Sequence, residues 1–240
     1  MPLTDVVFFG ILIVTIGISY YGFTHEVFFR RYMFNVKAVQ GGDYIRLLSA
    51  GFLHAGWEHL IFNMISLFFF HKVILVGMGV DVFMLIYIGA IVFGNLFCLY
   101  IYRHQPYYSA IGASGGVSGI IFASIALMPH LRVNFIPGWL FGAIYFGYSV
   151  YRMLDPRMGD NVGHAAHLGG AIFGISVIAL LKPLFIVENA LYFYITEYIR
   201  IYIQNNSKSV YHNQYFLRFF IVKCIVHIFV FLKDNTALEL

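Results

Sequence analysis

Four polar side chains sit inside stretches that are otherwise apolar: His59 and Asn63 in one, Ser114 at the head of another, and His167 in a third. A serine hydroxyl becomes a nucleophile when an imidazole takes its proton. Side-chain N–H groups can hold the oxyanion created when that hydroxyl attacks a carbonyl. Each residue also has a plainer reading. Ser114 could cap a helix, a position serine favours, and Gly115 and Gly119 make an i, i+4 small-residue face suited to close helix packing. His59 and Asn63, also at i, i+4, could bond one helix to another. His164 and His167, at i, i+3, could ligate a metal, although the chain has no HExxH. The functional reading gains its weight from the conjunction of hydroxyl, imidazole and two hydrogen-bonding groups on three separate stretches.

The elements that must carry them are membrane helices. The 240 residues are 60% hydrophobic and 11% charged, with a mean hydropathy of +0.79, whereas charged residues make up roughly a quarter of a soluble chain. Backbone exposed to lipid must satisfy its hydrogen bonds within each segment, and continuous apolar runs then favour an all-α polytopic bundle over a barrel. Cys98 and Cys224 both lie in apolar runs, so neither a disulfide framework nor a thiolate metal site is expected. The net charge of +4 is dispersed over loops and tail, which suits lipid headgroups and gives no reason to expect nucleic acid. No cofactor is expected.

Hydropathy places the first span at Val6 to Phe23, the second at Trp57 to Leu75, the third at Val82 to Tyr102, the fifth at Pro137 to Leu154 and the sixth at Gly163 to Leu181. The first span lacks the basic flank and cleavage site of a signal peptide and reads as a retained helix. The stretch Thr24 to Ala50 is too long for a connector and too apolar to be disordered, so it should fold on or into the membrane surface. The fourth run, Ser114 to Met128, ends at Pro129. As an α-helix it is about 22 Å long, against a hydrocarbon core of about 30 Å. Pro129, His130 and Arg132 mark its wet end, which puts Ser114 below the surface. Because consecutive spans alternate in direction, the second, fourth and sixth enter from one face, and His59, Asn63, Ser114, His164 and His167 all lie near those entries. Ionisable groups at such depth suggest function.

Taken in order, Tyr44-Ile45-Arg46-Leu47-Leu48, Phe52-Leu53-His54, His59-Leu60-Ile61-Phe62-Asn63-Met64, Gly112-Ala113-Ser114-Gly115 and Ala166-His167-Leu168-Gly169-Gly170 resemble the rhomboids, the intramembrane serine proteases. The resemblance runs over roughly Gly42 to Leu181. Residues 183–240 depart from it and read, from their own charges among apolar residues, as a C-terminal extension of amphipathic helices or an extra span at Tyr215 to Leu232. The resemblance itself implies a six-helix transmembrane bundle over residues 1–182 with a membrane-associated first loop. It makes Ser114 the nucleophile and His167 the general base of a dyad. His59 and Asn63, with the Ser114 backbone N–H and Gly112 of the same motif, form the oxyanion and binding set; no metal is implied. His164 is the less favoured base.

The implied partners are transmembrane protein substrates, cleaved at small residues near the face carrying the site, and the lipid bilayer. The implied location is a bacterial cytoplasmic (inner) membrane with the site facing the extracytoplasmic side. Lysine and arginine divide almost evenly between the two sets of loops, so this orientation rests on the resemblance. One departure concerns Ser118: many rhomboids place an aromatic four residues after the nucleophile, against the catalytic histidine. The alternative to a protease is a non-proteolytic relative that binds transmembrane helices, or a small transporter using the polar cavity.

Overall fold

A computed structural model describes residues 2–154 and 163–182. The expectation for Tyr215 to Leu232, like the rest of 183–240, lies outside the described residues. The chain is mostly helical. In order it forms α1 (Leu3–Thr24), α2 (Glu26–Tyr32), β1 (Phe34–Asn35), α3 (Val36–Gln40), α4 (Arg46–Ser49) and a 3-10 turn at Ala50–Phe52. Then come α5 (Trp57–Gly77), α6 (Val80–Ile101), β2 (Ser109–Ala110), α7 (Ser114–Leu127), β3 (Arg132–Val133), β4 (Ile136–Pro137), α8 (Gly138–Leu154) and α9 (His164–Lys182). Among the described residues α1, α5, α6 and α9 are long and apolar enough to cross a membrane. The protein is an integral, multi-pass membrane protein.

The contacts fix how the helices run. Along α1 the buried residues are Phe8, Ile11, Thr15, Ser19 and Gly22, a single stripe at helical spacing whose opposite side is left to lipid. Phe8 stacks on His71 at 3.7 Å near one end of α5, and Phe23 meets Trp57 at the other, so α1 and α5 are antiparallel. Helices α7 and α9 are parallel and in register. A Cβ on Gly170 would fall on the Gly115 carbonyl and one on Gly174 on the Gly119 carbonyl, and at the far ends Lys182 Nζ donates to the Ala126 carbonyl at 3.1 Å. Helix α6 runs against both, with Gly94 beside the Ala166 carbonyl and Gly116 beside that of Tyr87. The spacing of Gly115 with Gly119 thus produces the close packing it predicts, against a matching pair, Gly170 and Gly174, on α9. Since α5 and α7 are also aligned, Ser124 meeting Phe70, the N-terminal ends of α5, α7 and α9 gather on one side.

The stretch between α1 and α5 is folded around one buried cation. Arg46 is 8% exposed; its Nε donates to Asp43 at 2.7 Å and its Nη1 to the carbonyls of Arg30 at 2.9 Å and Met33 at 2.8 Å. The hydrogen bond from Arg46, with Arg31 also beside it, holds the Asp43 carboxyl below its ordinary range. Asn95 of α6 donates to the Leu47 carbonyl at 2.8 Å, and β1 pairs antiparallel with β2, Phe34 opposite Ala110. These bonds tie the first loop to the segment that leads into Ser114.

Candidate active site

Helix α7 begins at Ser114 and has Ala113 as its N-cap, with no side-chain capping bond, so the capping reading of Ser114 does not hold. The first N–H groups of a helix have no partner within it and lie at the positive end of its dipole. The Ser114 hydroxyl therefore starts beside backbone donors suited to a developing anion. At 14 residues the helix is about 21 Å long, shorter than the hydrocarbon core.

The turn before Ser114 is set by two histidines. Gly112 has φ +116°, a conformation other residues rarely adopt. A Cβ on it would lie 2.6 Å from Cε1 and 2.8 Å from Nε2 of His59. Gly112 thus lets the chain turn and lets His59 approach. His54 is fully buried, and its Nε2 accepts the Ala113 N–H at 3.3 Å. That leaves the proton on Nδ1, which lies 2.9 Å from Ser19 Oγ and donates to it, while Ser19 donates to the Phe52 carbonyl at 2.9 Å. Burial, and then the neighbouring His59, push the His54 imidazole down to about 3, so it stays a neutral acceptor. Its ring packs edge-on against His59 at 4.9 Å.

A cavity of about 720 Å³ opens among α5, α7, α8 and α9, and Ser114, His167, His59 and Asn63 all line it. Gly112 does not line it and lies instead against the His59 ring. Asn63 is buried, and its Nδ2 donates to the His59 carbonyl at 2.9 Å; an amide carries two hydrogens, so a second donor is left over. His167 enters one turn into α9, its N–H bonded to the Gly163 carbonyl at 3.1 Å. The ring of His164 stands 5.7 Å from that of His167 at 73° and faces Tyr148 on its other side; it does not line the cavity. Among the described residues no group of three or more His, Cys, Asp or Glu is placed to hold a metal.

Three features of the site were not assigned from sequence. His54 stood in the Phe52-Leu53-His54 motif of the resemblance, but nothing in the sequence gave it a role. Ser19, its partner, lies 35 residues away on α1. Tyr145 of α8 lines the cavity, and its hydroxyl is 2.8 Å from that of Ser118.

A family model described as "Rhomboid domain" matches residues 41–184. RHOMBOID-like protein 12, mitochondrial, of Arabidopsis thaliana is 26% identical over 172 residues, 62% of this chain and 50% of that protein. Rhomboid-related protein 1 of Caenorhabditis elegans is 31% identical over 56% of this chain and 39% of its own. The human presenilin-associated rhomboid-like protein, mitochondrial, is 32% identical over 54% and 36%. The chain spans half or less of the length of these three relatives.

Proposed function

The chain belongs to the rhomboid family, and on that premise we propose that it is an intramembrane serine endopeptidase that cleaves transmembrane segments of other membrane proteins. The observation that carries the reading is the convergence of Ser114, His167, His59 and Asn63 on one cavity, from the same ends of three parallel helices. In this reading His167 takes the Ser114 proton as Oγ attacks the scissile carbonyl, then returns it to the leaving amine. The Ser114 N–H, His59 and the free Asn63 hydrogen hold the oxyanion, each donor worth roughly 3–4 kcal/mol in a water-poor site. Water then attacks the acyl-enzyme.

The dimensions suit this chemistry. The cavity is far larger than a single water needs, and the short α7 opens it toward the aqueous side. A peptide bond within a helix keeps its carbonyl in the helix's own hydrogen bonds and out of reach of attack. The substrate therefore enters locally unwound, with small residues at the scissile bond. We take α1 and α5 to α9 as six spans, with residues 183–240 as an extension. The N-terminus is cytoplasmic and the site extracytoplasmic, in a bacterial inner membrane.

The test is to incubate detergent-solubilised protein with a labelled transmembrane substrate beside its Ser114→Ala variant. Cleavage should vanish in Ser114→Ala and survive a chelator. Equal cleavage by both proteins contradicts the serine mechanism. Binding of the substrate segment with no cleavage by either protein supports a helix-binding protein instead.

A further inference from the structure

A base in a dyad needs something other than a third catalytic group to hold its ring, and the packing around His167 supplies it from a neighbouring helix. The half-buried ring of Tyr145 lies 6.0 Å from that of His167, inclined at 58°. On its other sides Tyr145 packs against Phe122 at 5.5 Å and Phe141 at 6.0 Å. With His164 edge-on at 5.7 Å, His167 has a ring from each of two helices beside it.

The hydroxyl of Tyr145 is itself anchored. Ser118 is 1% exposed, one turn below Ser114, and its hydroxyl shares the 2.8 Å hydrogen bond with Tyr145. A hydroxyl buried in apolar surroundings costs free energy unless it is bonded. Each member of the pair therefore holds the other, across the contact of α7 with α8. One turn away Gly142 lies against side chains of α7, its Cβ position 3.2 Å from the end of Ile125.

We propose that Tyr145 is a positioning residue for the dyad: its ring limits the orientations of His167, and its bond to Ser118 fixes the ring to the helix that carries the nucleophile. The proposal rests on the serine protease reading above. It predicts that the orientation of the base depends on how α8 sits against α7.

The experiment measures kcat per fluorophosphonate-titrated site and KM for cleavage of a transmembrane substrate. It compares the wild type, Tyr145→Phe, Tyr145→Leu, Ser118→Ala and the double variant Ser118→Ala/Tyr145→Phe, with Ser114→Ala as reference. Tyr145→Phe and Ser118→Ala should each lower kcat about fivefold, the worth of one buried hydrogen bond, with KM little changed. Because both remove the same bond, the double variant should fall no further than either single one. Tyr145→Leu should lose about 100-fold, as expected for a misplaced catalytic group, and Tyr145→Phe should retain most of what the leucine loses. Multiplying effects in the double variant, or wild-type kcat per titrated site in Tyr145→Leu, would overturn the proposal. So would a lower thermal midpoint with kcat per site unchanged, since that is a purely structural role. If Tyr145→Leu does not fold, Tyr145→Phe, Ser118→Ala and their double variant decide the question. Cleavage by Ser114→Ala would overturn the protease reading itself. A dead Ser114→Ala beside an unimpaired Tyr145→Leu overturns only the positioning role.

Discussion

The two flanks of the Ser114 helix are built in opposite ways. Toward α9 the neighbour comes so close that the carbonyls of Gly115 and Gly119 occupy the places of Cβ atoms on Gly170 and Gly174. Toward α8 the gap is filled by rings, Tyr145 with Phe122 and Phe141, and α8 buries only Gly138, Gly142 and Ser149. On the first flank backbone meets backbone, and the contact has one geometry. On the second, side chains can change rotamer and the fit tolerates adjustment. Ser114 and His167, the proposed nucleophile and base, sit on the two helices joined by the rigid seam, so their relative position does not depend on the softer flank. The orientation of the imidazole does, through Tyr145.

Breaking the seam should have the largest effect. Gly170→Ala puts a methyl against the Gly115 carbonyl, and backbone cannot move aside as a side chain can. Overpacking of this kind costs about 3 kcal/mol or more, so thermal unfolding in detergent should show a lowered midpoint or no folded protein. The same substitution on the other flank sharpens the contrast. Gly142→Ala meets side chains alone, the end of Ile125 at 3.2 Å and the Phe122 ring at 3.5 Å, and its cost should stay below about 1 kcal/mol in the same assay.

Between these lies the loop that delivers Ser114 to the seam. His54→Ala leaves the buried Ala113 N–H without its acceptor and should cost about 1–3 kcal/mol. The imidazole also gives the wild type a pH dependence. With the folded value at about 3 against about 6.5 when unfolded, only the unfolded chain takes up the proton between those limits. The contribution of His54 is therefore complete above pH 6.5 and is lost as pH falls, by about 1.4 kcal/mol for each unit below it. Midpoints measured at pH 7.5 and 5 should separate more in the wild type than in His54→Asn.

How much of this was legible in the sequence follows the same division. Hydropathy located α1, α5, α6 and α9 to within a few residues, because lipid demands long apolar runs. Alternation of spans brought Ser114, His59, Asn63 and His167 to one side before any contact was known, and the glycine spacings foretold the seam. The first loop was legible only as a segment too apolar for disorder. Its order comes from Arg46 reaching three partners and from a two-residue strand pairing, Phe34 with Ala110, and neither leaves a periodic trace. Ser118 had no assignable role because its partner, Tyr145, is 27 residues away on another helix. Side-chain contacts between helices carry no local pattern, whereas backbone approach leaves glycines at fixed spacing.

The central claim is that His167 activates Ser114. Treat the purified protein and its His167→Ala variant with a fluorophosphonate probe and map the label by peptide mass. The account predicts a single modified residue, Ser114, in the wild type and none in His167→Ala, with both proteins folded by thermal midpoint. Equal labelling of Ser114 in the two proteins, or a label on another residue with Ser114 untouched, would contradict it.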